Sequence, residues 1–257
     1  MLHRLKAATL HLIASAIIVG IVLCMIFFIW YPQPFYTFHE TSRVVNLIII
    51  VDLVLGPLLT LVVFNIKKPR KELFRDISVI VLIQLVALSW GVHISYKMRP
   101  LFALYYDGAF YSITRVDIDM NKLSKDVTSP GVFDSPRILY MRDVGASAYF
   151  NQMVDIFTKN ASDVMYQAEK YEEINGHLGE IADNQIDKNR LTTEIDKKDK
   201  VEAFLAKNNL SIKEYGFYPI YSNDYVGTLI VDLKNMIFIG VVDVHFPPIY
   251  GKKENGS

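Results

Sequence analysis

Three long apolar segments dominate the first part of the chain, and the remainder alternates between short apolar runs and polar stretches. The segments are Leu10–Trp30, Val44–Phe64 and Ile77–Tyr96. Each approaches the ~20 apolar residues that a helix needs to cross the hydrocarbon core of a bilayer. Buried core helices of this length are uncommon, and three in succession are not expected. The pattern therefore predicts a membrane protein with a three-helix transmembrane anchor at residues 1–98.

Basic residues near the ends of these segments predict the orientation of the anchor. The short loop between the second and third segments is crowded with five of them, Lys67, Lys68, Arg70, Lys71 and Arg75, whereas the loop between the first two holds only Arg43. Because Lys and Arg collect on the cytoplasmic side, we expect the N-terminus and the basic loop in the cytoplasm. The rest of the chain would then be periplasmic, and the expected location is the inner membrane of a bacterium.

The second segment carries a carboxylate in the run Val51-Asp52-Leu53-Val54-Leu55-Gly56-Pro57. A charge inside a membrane helix costs about 2.5–3.5 kcal/mol on insertion scales, so it seldom occurs without a polar partner or a function. On an antiparallel third segment, Ser89 is expected at about the depth of Asp52, and Gln84 some two turns lower. Either or both are candidate hydrogen-bond partners of the carboxyl group. Gly56-Pro57 should disturb the helix, because proline has no backbone N–H.

Two interpretations of Asp52 remain open. Asp52 either joins the anchor helices as a paired or protonated residue, or it caps a polar groove that receives the helix of another protein. Small residues four apart also favour a compact bundle or such a groove, and they occur at Ala16, Gly20 and Cys24 and again at Ala87, Gly91 and Ser95. The candidate partner-contact or helix-packing residues are therefore Asp52, Gly56, Pro57, Gln84, Ser89, Gly20 and Gly91.

Residues 99–250 predict a periplasmic α+β domain with a mainly antiparallel sheet. Asp107-Gly108 is a strong two-residue hairpin signal between two apolar runs. The predicted strands are Leu101–Tyr106, Ala109–Arg115, Arg137–Met141, Glu214–Tyr221, Tyr225–Leu233 and Met236–His245, the last two forming a hairpin.

Apolar residues at steps of three and four predict one long amphipathic helix over Ala146–Ile174, ended by Asn175-Gly176. A short helix is expected over Lys198–Asn208. The polar segment between them, residues 176–200, fits either a loop or a loose helix. A disordered tail is expected over residues 251–257.

The chain shows no motif for catalysis, a cofactor or a metal. It has no phosphate-binding loop, no glycine-rich dinucleotide turn, no nucleophile elbow and no Cys/His cluster of zinc type. The charges balance, with 27 basic and 27 acidic residues, and no clustered basic face suggests nucleic-acid binding. We therefore expect no enzyme, no cofactor, no metal ion and no nucleic-acid partner.

The anchor resembles the TfpX/TfpZ type IV pilin accessory proteins. The resemblance is concentrated in residues 1–100, extends weakly to the terminal hairpin and is not found over residues 117–213. The runs that carry it are Trp30-Tyr31-Pro32 with Pro34-Phe35, Val51 to Thr60, Gln84-Leu85 with Ala87-Leu88, and Arg99-Pro100. It implies an inner-membrane helper of type IV pilus biogenesis that is paired with a particular major pilin, with pilus platform or motor proteins as further possible partners.

Two other hypotheses belong to different classes. The chain could be a membrane regulator or sensor whose periplasmic domain binds a small molecule and acts on the pilus motor. It could also be an accessory subunit of a membrane enzyme of glycosylation. Neither has a motif in its favour, and the only expected non-protein contact is the surrounding membrane lipid.

Overall fold

A computed structural model describes residues 1–38, 41–142, 164–223 and 225–247. The described residues divide into two compact units. The membrane unit contains residues 1–30 and 41–98, and the sheet unit contains residues 31–38 together with the described residues from 99 onward. The loop between the first two apolar segments therefore belongs with the sheet.

The membrane unit consists of three spans that are long and apolar enough to cross a bilayer, Leu2–Trp30, Ser42–Val63 and Arg70–Met98. In the first span, α1 (Leu2–Met25) continues as a π-helical stretch, Ile26–Trp30. The second span contains α2 (Thr41–Ile49), a π-helical stretch (Ile50–Leu55) and α3 (Gly56–Val63), and the third is α4 (Arg70–Met98). Large apolar side chains cover the outer surfaces of all three, as in Ile17, Val62 and Val86. The protein is thus membrane-anchored by apolar N-terminal helices.

The irregularity expected at Gly56-Pro57 takes the form of the π-helical stretch that precedes it. Proline has no N–H, so the carbonyl four residues earlier loses its α-helical donor. Inserted π-helical turns are one recognised way in which a helix accommodates such a break. Asp52 lies inside this stretch, so the carboxylate occupies the least regular part of the span.

The described strands of the sheet unit form one seven-stranded sheet. The strands are β1 (Pro100–Tyr106), β2 (Ala109–Thr114), β3 (Arg137–Met141), β4 (Tyr171–Glu173), β5 (Gly216–Tyr221), β6 (Val226–Asp232) and β7 (Ile237–Val242), and their order is β4-β3-β1-β2-β5-β6-β7. β1 is parallel to β3 and β2 is parallel to β5, whereas the other four pairings are antiparallel. The predicted α+β class with a mainly antiparallel sheet is confirmed.

The predicted hairpins form at the turns that the sequence marks. Asp107 and Gly108 both have positive φ, 46° and 79°, as the two central residues of a type I′ turn require. β6 and β7 pair antiparallel around Leu233–Met236, with Asp232 opposite Ile237. The strand ends differ from the predicted ones by a few residues.

Apolar side chains cover both faces of the sheet. Every residue of β1 except Tyr106 is buried, which explains its unbroken apolar sequence. Ala103 and Tyr105 face one core, which Phe35 from the first loop also enters, and Phe102 and Leu104 face the other. A third cluster joins helices α6 (Lys188–Thr193) and α7 (Ile195–Lys207) to the sheet through Leu191 and Val201.

The long helix predicted over Ala146–Ile174 is wrong in its second part, and residues 146–163 of that range lie outside the described residues. Val164–Tyr166 and Ala168–Lys170 are 3₁₀ turns, and Tyr171–Glu173 is β4. Apolar residues three apart, such as Ala168 and Tyr171, fit the three-residue turn of a 3₁₀ helix as well as an α-helix.

Short helices occupy the polar segment whose structure the sequence left open. They are α5 (Leu178–Asp183) and α6, and α7 begins three residues before the helix predicted from Lys198. Ile181, Ile186 and Leu191 are buried, so these widely spaced apolar residues attach the segment to the core. The predicted tail, residues 251–257, lies outside the described residues.

Candidate functional site

A buried carboxyl–amide pair connects the second and third spans. Asp52 is 4% exposed and Gln84 is 7% exposed. The Gln84 Nε2 group donates to the Asp52 backbone oxygen at 3.2 Å and to Asp52 Oδ1 at 3.4 Å. The amide therefore satisfies one carboxyl oxygen and fixes the direction in which its own oxygen points.

Gly56 provides the space that Gln84 occupies. A Cβ atom at position 56 would lie 2.1 Å from Gln84 Nε2, far inside contact distance. Gly56 and Pro57 are both buried. In the run from Asp52 to Pro57, Asp52 thus supplies the polar group, the backbone is π-helical, and Gly56 leaves space for the Gln84 side chain.

Ser89 does not lie against Asp52, contrary to the expectation from depth. It is on the exposed side of the third span, whereas Ile80, Gln84, Leu88, Gly91 and Ser95 form the buried side. Five residues separate Ser89 from Gln84, which places them about 140° apart around an α-helix. Because Gln84 contacts Asp52 directly, Gln84 and not Ser89 lies at the level of the carboxyl group, and the inferred depth differs from the observed one by five residues, about 7.5 Å along the helix.

The two small-residue stripes behave differently. A Cβ atom at Gly91 would lie 2.9 Å from Ile48 Cγ1, so this glycine permits close contact between the second and third spans. A Cβ atom at Gly20 would meet nothing within 4 Å, and Ala16 and Cys24 are exposed. Within the described residues, the first-span stripe lies on an outer surface of the membrane unit.

His11 and Thr60 add a polar contact that the sequence interpretation missed. His11 Nδ1 and Thr60 Oγ1 are 2.5 Å apart and join the first span to the second. Thr60 is 2% exposed. The detectable signal was the i, i+4 spacing of His11 and Ser15, which places two polar side chains on one face of an otherwise apolar helix.

A groove of about 100 Å³ opens beside these polar groups, within the membrane unit. The first and third spans supply most of its wall and Asp52 contributes from the second. The groove is lined by His11, Ala14, Ser15, Ile18, Val19, Asp52, Val81, Gln84, Leu85 and Leu88. It is thus mostly apolar, with a small polar region.

Two acceptor atoms in this polar region have no hydrogen-bond partner among the described residues. They are Asp52 Oδ2 and Gln84 Oε1, both of which are inaccessible to solvent. Unsatisfied polar atoms are costly in hydrocarbon, where no water replaces the missing partner. Both atoms belong to side chains that line the groove, so a small rearrangement of these side chains would present them to a donor group on another molecule. This binding chemistry makes the groove the candidate site.

A family model matches the first part of the chain, and two known proteins match almost all of it. The family model described as "Fimbrial assembly protein FimB" matches residues 1–38. The fimbrial assembly protein of serogroup I from Dichelobacter nodosus is 26% identical over 253 residues, covering 95% of this chain and 96% of that protein. The serogroup E1 protein of the same organism matches with the same identity and coverage.

A third relative is shorter. The fimbrial assembly protein of serogroups C1 and C2 from Dichelobacter nodosus is 30% identical over 122 residues, which is 48% of this chain and 93% of that protein. No solved structure matches the chain. The matches confirm the family resemblance inferred from the anchor, and the chain belongs to the FimB family of fimbrial assembly proteins.

Proposed function

We propose that this protein is a non-enzymatic accessory factor of type IV fimbrial assembly, located in the bacterial inner membrane, that binds the major pilin before or during assembly. The names of its relatives support the process, since all three are called fimbrial assembly proteins. The observation that carries the binding role is the groove in the membrane unit, which is bordered by two buried acceptor atoms without a described partner, Asp52 Oδ2 and Gln84 Oε1.

The proposed orientation has the N-terminus in the cytoplasm and the sheet unit in the periplasm. The charges between the second and third spans support it. Lys67, Arg70, Lys71 and Arg75 are exposed there, and Asp76 pairs with Lys68 at 2.7 Å and with Arg75 at 3.7 Å. The five basic residues outnumber Glu72 and Asp76, and this net positive charge follows the cytoplasmic bias of Lys and Arg.

The groove fits a membrane helix better than it fits lipid. Acyl chains carry no hydrogen-bond donor, so they leave Asp52 Oδ2 and Gln84 Oε1 unsatisfied. A helix with a donor side chain supplies both the apolar contact and the missing hydrogen bond. Helix association in membranes rests on close packing and a few modest hydrogen bonds. Such a contact is strong enough to hold a subunit and weak enough to release it into a fibre.

Photo-crosslinking in living cells tests the proposal. A photoreactive amino acid is placed at Ser15 or Leu85, which line the groove, and at Ile17 or Val86, which are exposed on the outer sides of the same helices. We expect a pilin adduct from the groove positions and little from the matched outer positions. Adducts to motor or platform proteins alone, or equal pilin capture from all four positions, would contradict the proposal.

A further inference from the structure

Four exposed apolar side chains lie on loops of the sheet unit that belong to one end of the sheet. They are Val116, which follows β2, Val132 and Phe133, which precede β3, and Val226 at the start of β6; their exposures are 54%, 46%, 74% and 42%. We call these residues the apolar tips. A single exposed apolar residue is ordinary, but a group at one end of a domain indicates a contact surface.

The pairing of the strands brings the loops together. Thr114, at the end of β2, lies opposite Pro100, the first residue of β1. β3 runs parallel to β1 with Arg137 beside Phe102, so the loop before β3 reaches the same end. Asn223 Nδ2 donates to Asp117 Oδ1 at 3.2 Å, which ties the β5–β6 turn to the loop after β2.

This end is also where the chain enters the sheet unit from the membrane. The apolar stretch Ile77–Tyr96 is long enough to cross a hydrocarbon core of ~30 Å, so the next few residues lie at the interface. Arg99 follows Met98 directly and is fully buried, and its guanidinium donates to the carbonyls of Val132 at 2.9 Å and Gly131 at 2.6 Å. The loop with Val132 and Phe133 is thereby held at the residue that leaves the third span.

Two carboxylates next to the tips in sequence, Asp117 and Asp134, accept hydrogen bonds within their own loops. Asp117 Oδ2 accepts from the backbone N–H and the hydroxyl of Thr114, each at 2.7 Å. Asp134 Oδ2 accepts from the Gly131 N–H at 2.7 Å. These hydrogen bonds engage one oxygen of each carboxylate within its loop, and the exposed Lys97 beside this end provides a positive charge that anionic lipid headgroups attract.

We propose that the apolar tips insert into the interfacial region of the bilayer that contains the three spans, and so dock the sheet unit on the membrane surface. Lipid is the occupant because the chain itself places this end at the interface. Apolar side chains of membrane-surface elements enter about 5–10 Å into the headgroup and acyl boundary. The docking does not depend on the proposed binding of pilin.

An environment-sensitive fluorophore tests the insertion. In a Cys24→Ala background of the full-length protein, a single cysteine is introduced by Phe133→Cys or, as the matched control, by Ile237→Cys, and labelled with a nitrobenzoxadiazole dye. Ile237 is 54% exposed and pairs with Asp232, at the far end of β6 from Val226. Each protein is reconstituted into nanodiscs of phosphatidylethanolamine and phosphatidylglycerol.

At position 133 we expect blue-shifted emission and quenching by lipids spin-labelled in the upper acyl chain. At position 237 we expect neither. Iodide quenching at both positions without lipid quenching at 133 would overturn the proposal. Blue-shifted emission at position 133 that appears only when purified pilin is added would also overturn the proposal, because it would indicate a protein partner instead of lipid.

A label-free measurement excludes insertion caused by the dye. Hydrogen exchange of residues 129–136 is compared between nanodiscs and detergent for the natural protein and for the Val132→Ser/Phe133→Ser variant. We expect slower exchange in nanodiscs for the natural sequence and loss of this difference in the variant. Equal exchange of the natural protein in both environments would contradict insertion.

Discussion

Three buried donors of the sheet unit contrast with the buried carboxyl–amide pair of the membrane unit. In the sheet unit, several buried donors end on backbone carbonyls of the same unit: Arg99 reaches Val132, Tyr218 reaches Ile181 at 2.7 Å and Thr228 reaches Val244 at 2.7 Å. In the membrane unit, the pairing of Gln84 with Asp52 leaves one acceptor oxygen on each side chain without a described partner. These three donors end on carbonyls inside the chain, whereas the carboxyl–amide pair has two acceptors without a described partner beside a groove.

The difference shows how to separate structural from functional polar residues in this protein. A buried donor that meets a carbonyl stabilises the fold, and its removal leaves an unsatisfied group behind. An acceptor left open beside a groove contributes little to the fold and becomes favourable only when another molecule supplies a donor. Removing a donor that ends on a carbonyl should therefore lower stability, whereas removing an acceptor without a partner should lower binding.

The largest effect on stability is expected for Arg99→Leu. The change removes a fully buried guanidinium and strips the carbonyls of Gly131 and Val132 of their donors. We expect the free energy of unfolding to fall by about 3 kcal/mol, measured by chemical denaturation in detergent. Arg142→Leu is the control, because its partner Glu172 is reached at the surface, and it should cost less than ~1 kcal/mol. If both variants lost the same free energy of unfolding, the buried hydrogen bonds of Arg99 would contribute no more to stability than a surface ion pair.

Gly56→Ala should be next in size. The new Cβ atom would lie 2.1 Å from Gln84 Nε2 and must displace the amide from Asp52. Overpacking of this kind costs about 1–3 kcal/mol, which unfolding of the membrane unit in mixed micelles would detect. Gly20→Ala is the matched control in open space, and we expect it to be neutral or stabilising by up to ~1 kcal/mol. A neutral Gly56→Ala would show that the carboxyl–amide pair does not depend on this clearance.

Asp52→Leu should separate binding from folding. Removing the carboxylate also removes its insertion cost, so the protein should remain abundant in the membrane. Loss of a single membrane hydrogen bond, worth ~0.6 kcal/mol on average and up to ~1.7 kcal/mol, should lower pilin capture at the groove by about threefold to twentyfold. Surface fimbriation should fall with it. Normal capture and fimbriation at natural protein levels would make Asp52 a residue that only joins the spans.

The smallest effect is expected from His245. Burial lowers its pKa, and the charges of Lys197 and Arg190 lower it further. Because the unfolded chain then binds a proton more readily, stability should decrease as the pH falls below the ordinary histidine value of about 6.5.

Comparing His245→Gln with the natural protein in urea at pH 7.5 and 5.5 isolates this contribution. The variant should lose less stability than the natural protein on acidification, by less than ~1 kcal/mol because the ring is partly solvated. An identical loss in both proteins would show that the imidazole does not contribute to the pH dependence.

The sequence predicted those features that depend on local pattern. Span positions follow from apolar length, and the β1–β2 turn follows from Asp107-Gly108. β1 pairs in parallel with β3, and β2 pairs in parallel with β5. These pairings join segments that are far apart in the sequence, so a local sequence pattern does not predict them. Tyr171 was assigned to a helix because spacing by three does not distinguish α from 3₁₀ geometry.

The candidate site was predictable in the same partial way. Asp52, Gly56 and Gln84 were all identified, because a polar residue and a Gly-Pro pair stand out in an apolar span. Ser89 does not lie against Asp52, since counting along antiparallel spans fixes neither the exact level of a residue nor the rotation of its helix about the axis. His11 was missed although Ser15 follows it at four residues, because its contact with Thr60 depends on how the first span packs.

The place of Phe35 in the sheet unit links the order of synthesis to the completion of the fold. Phe35 comes from the first loop, and its ring packs on Phe238 of β7 at 5.9 Å between centroids. The ribosome makes the second and third spans between these two residues, so this contact forms only after the anchor has been synthesised. A nascent chain that stalls before β7 would therefore insert its spans but lack one of the contacts that attach the first loop to the sheet.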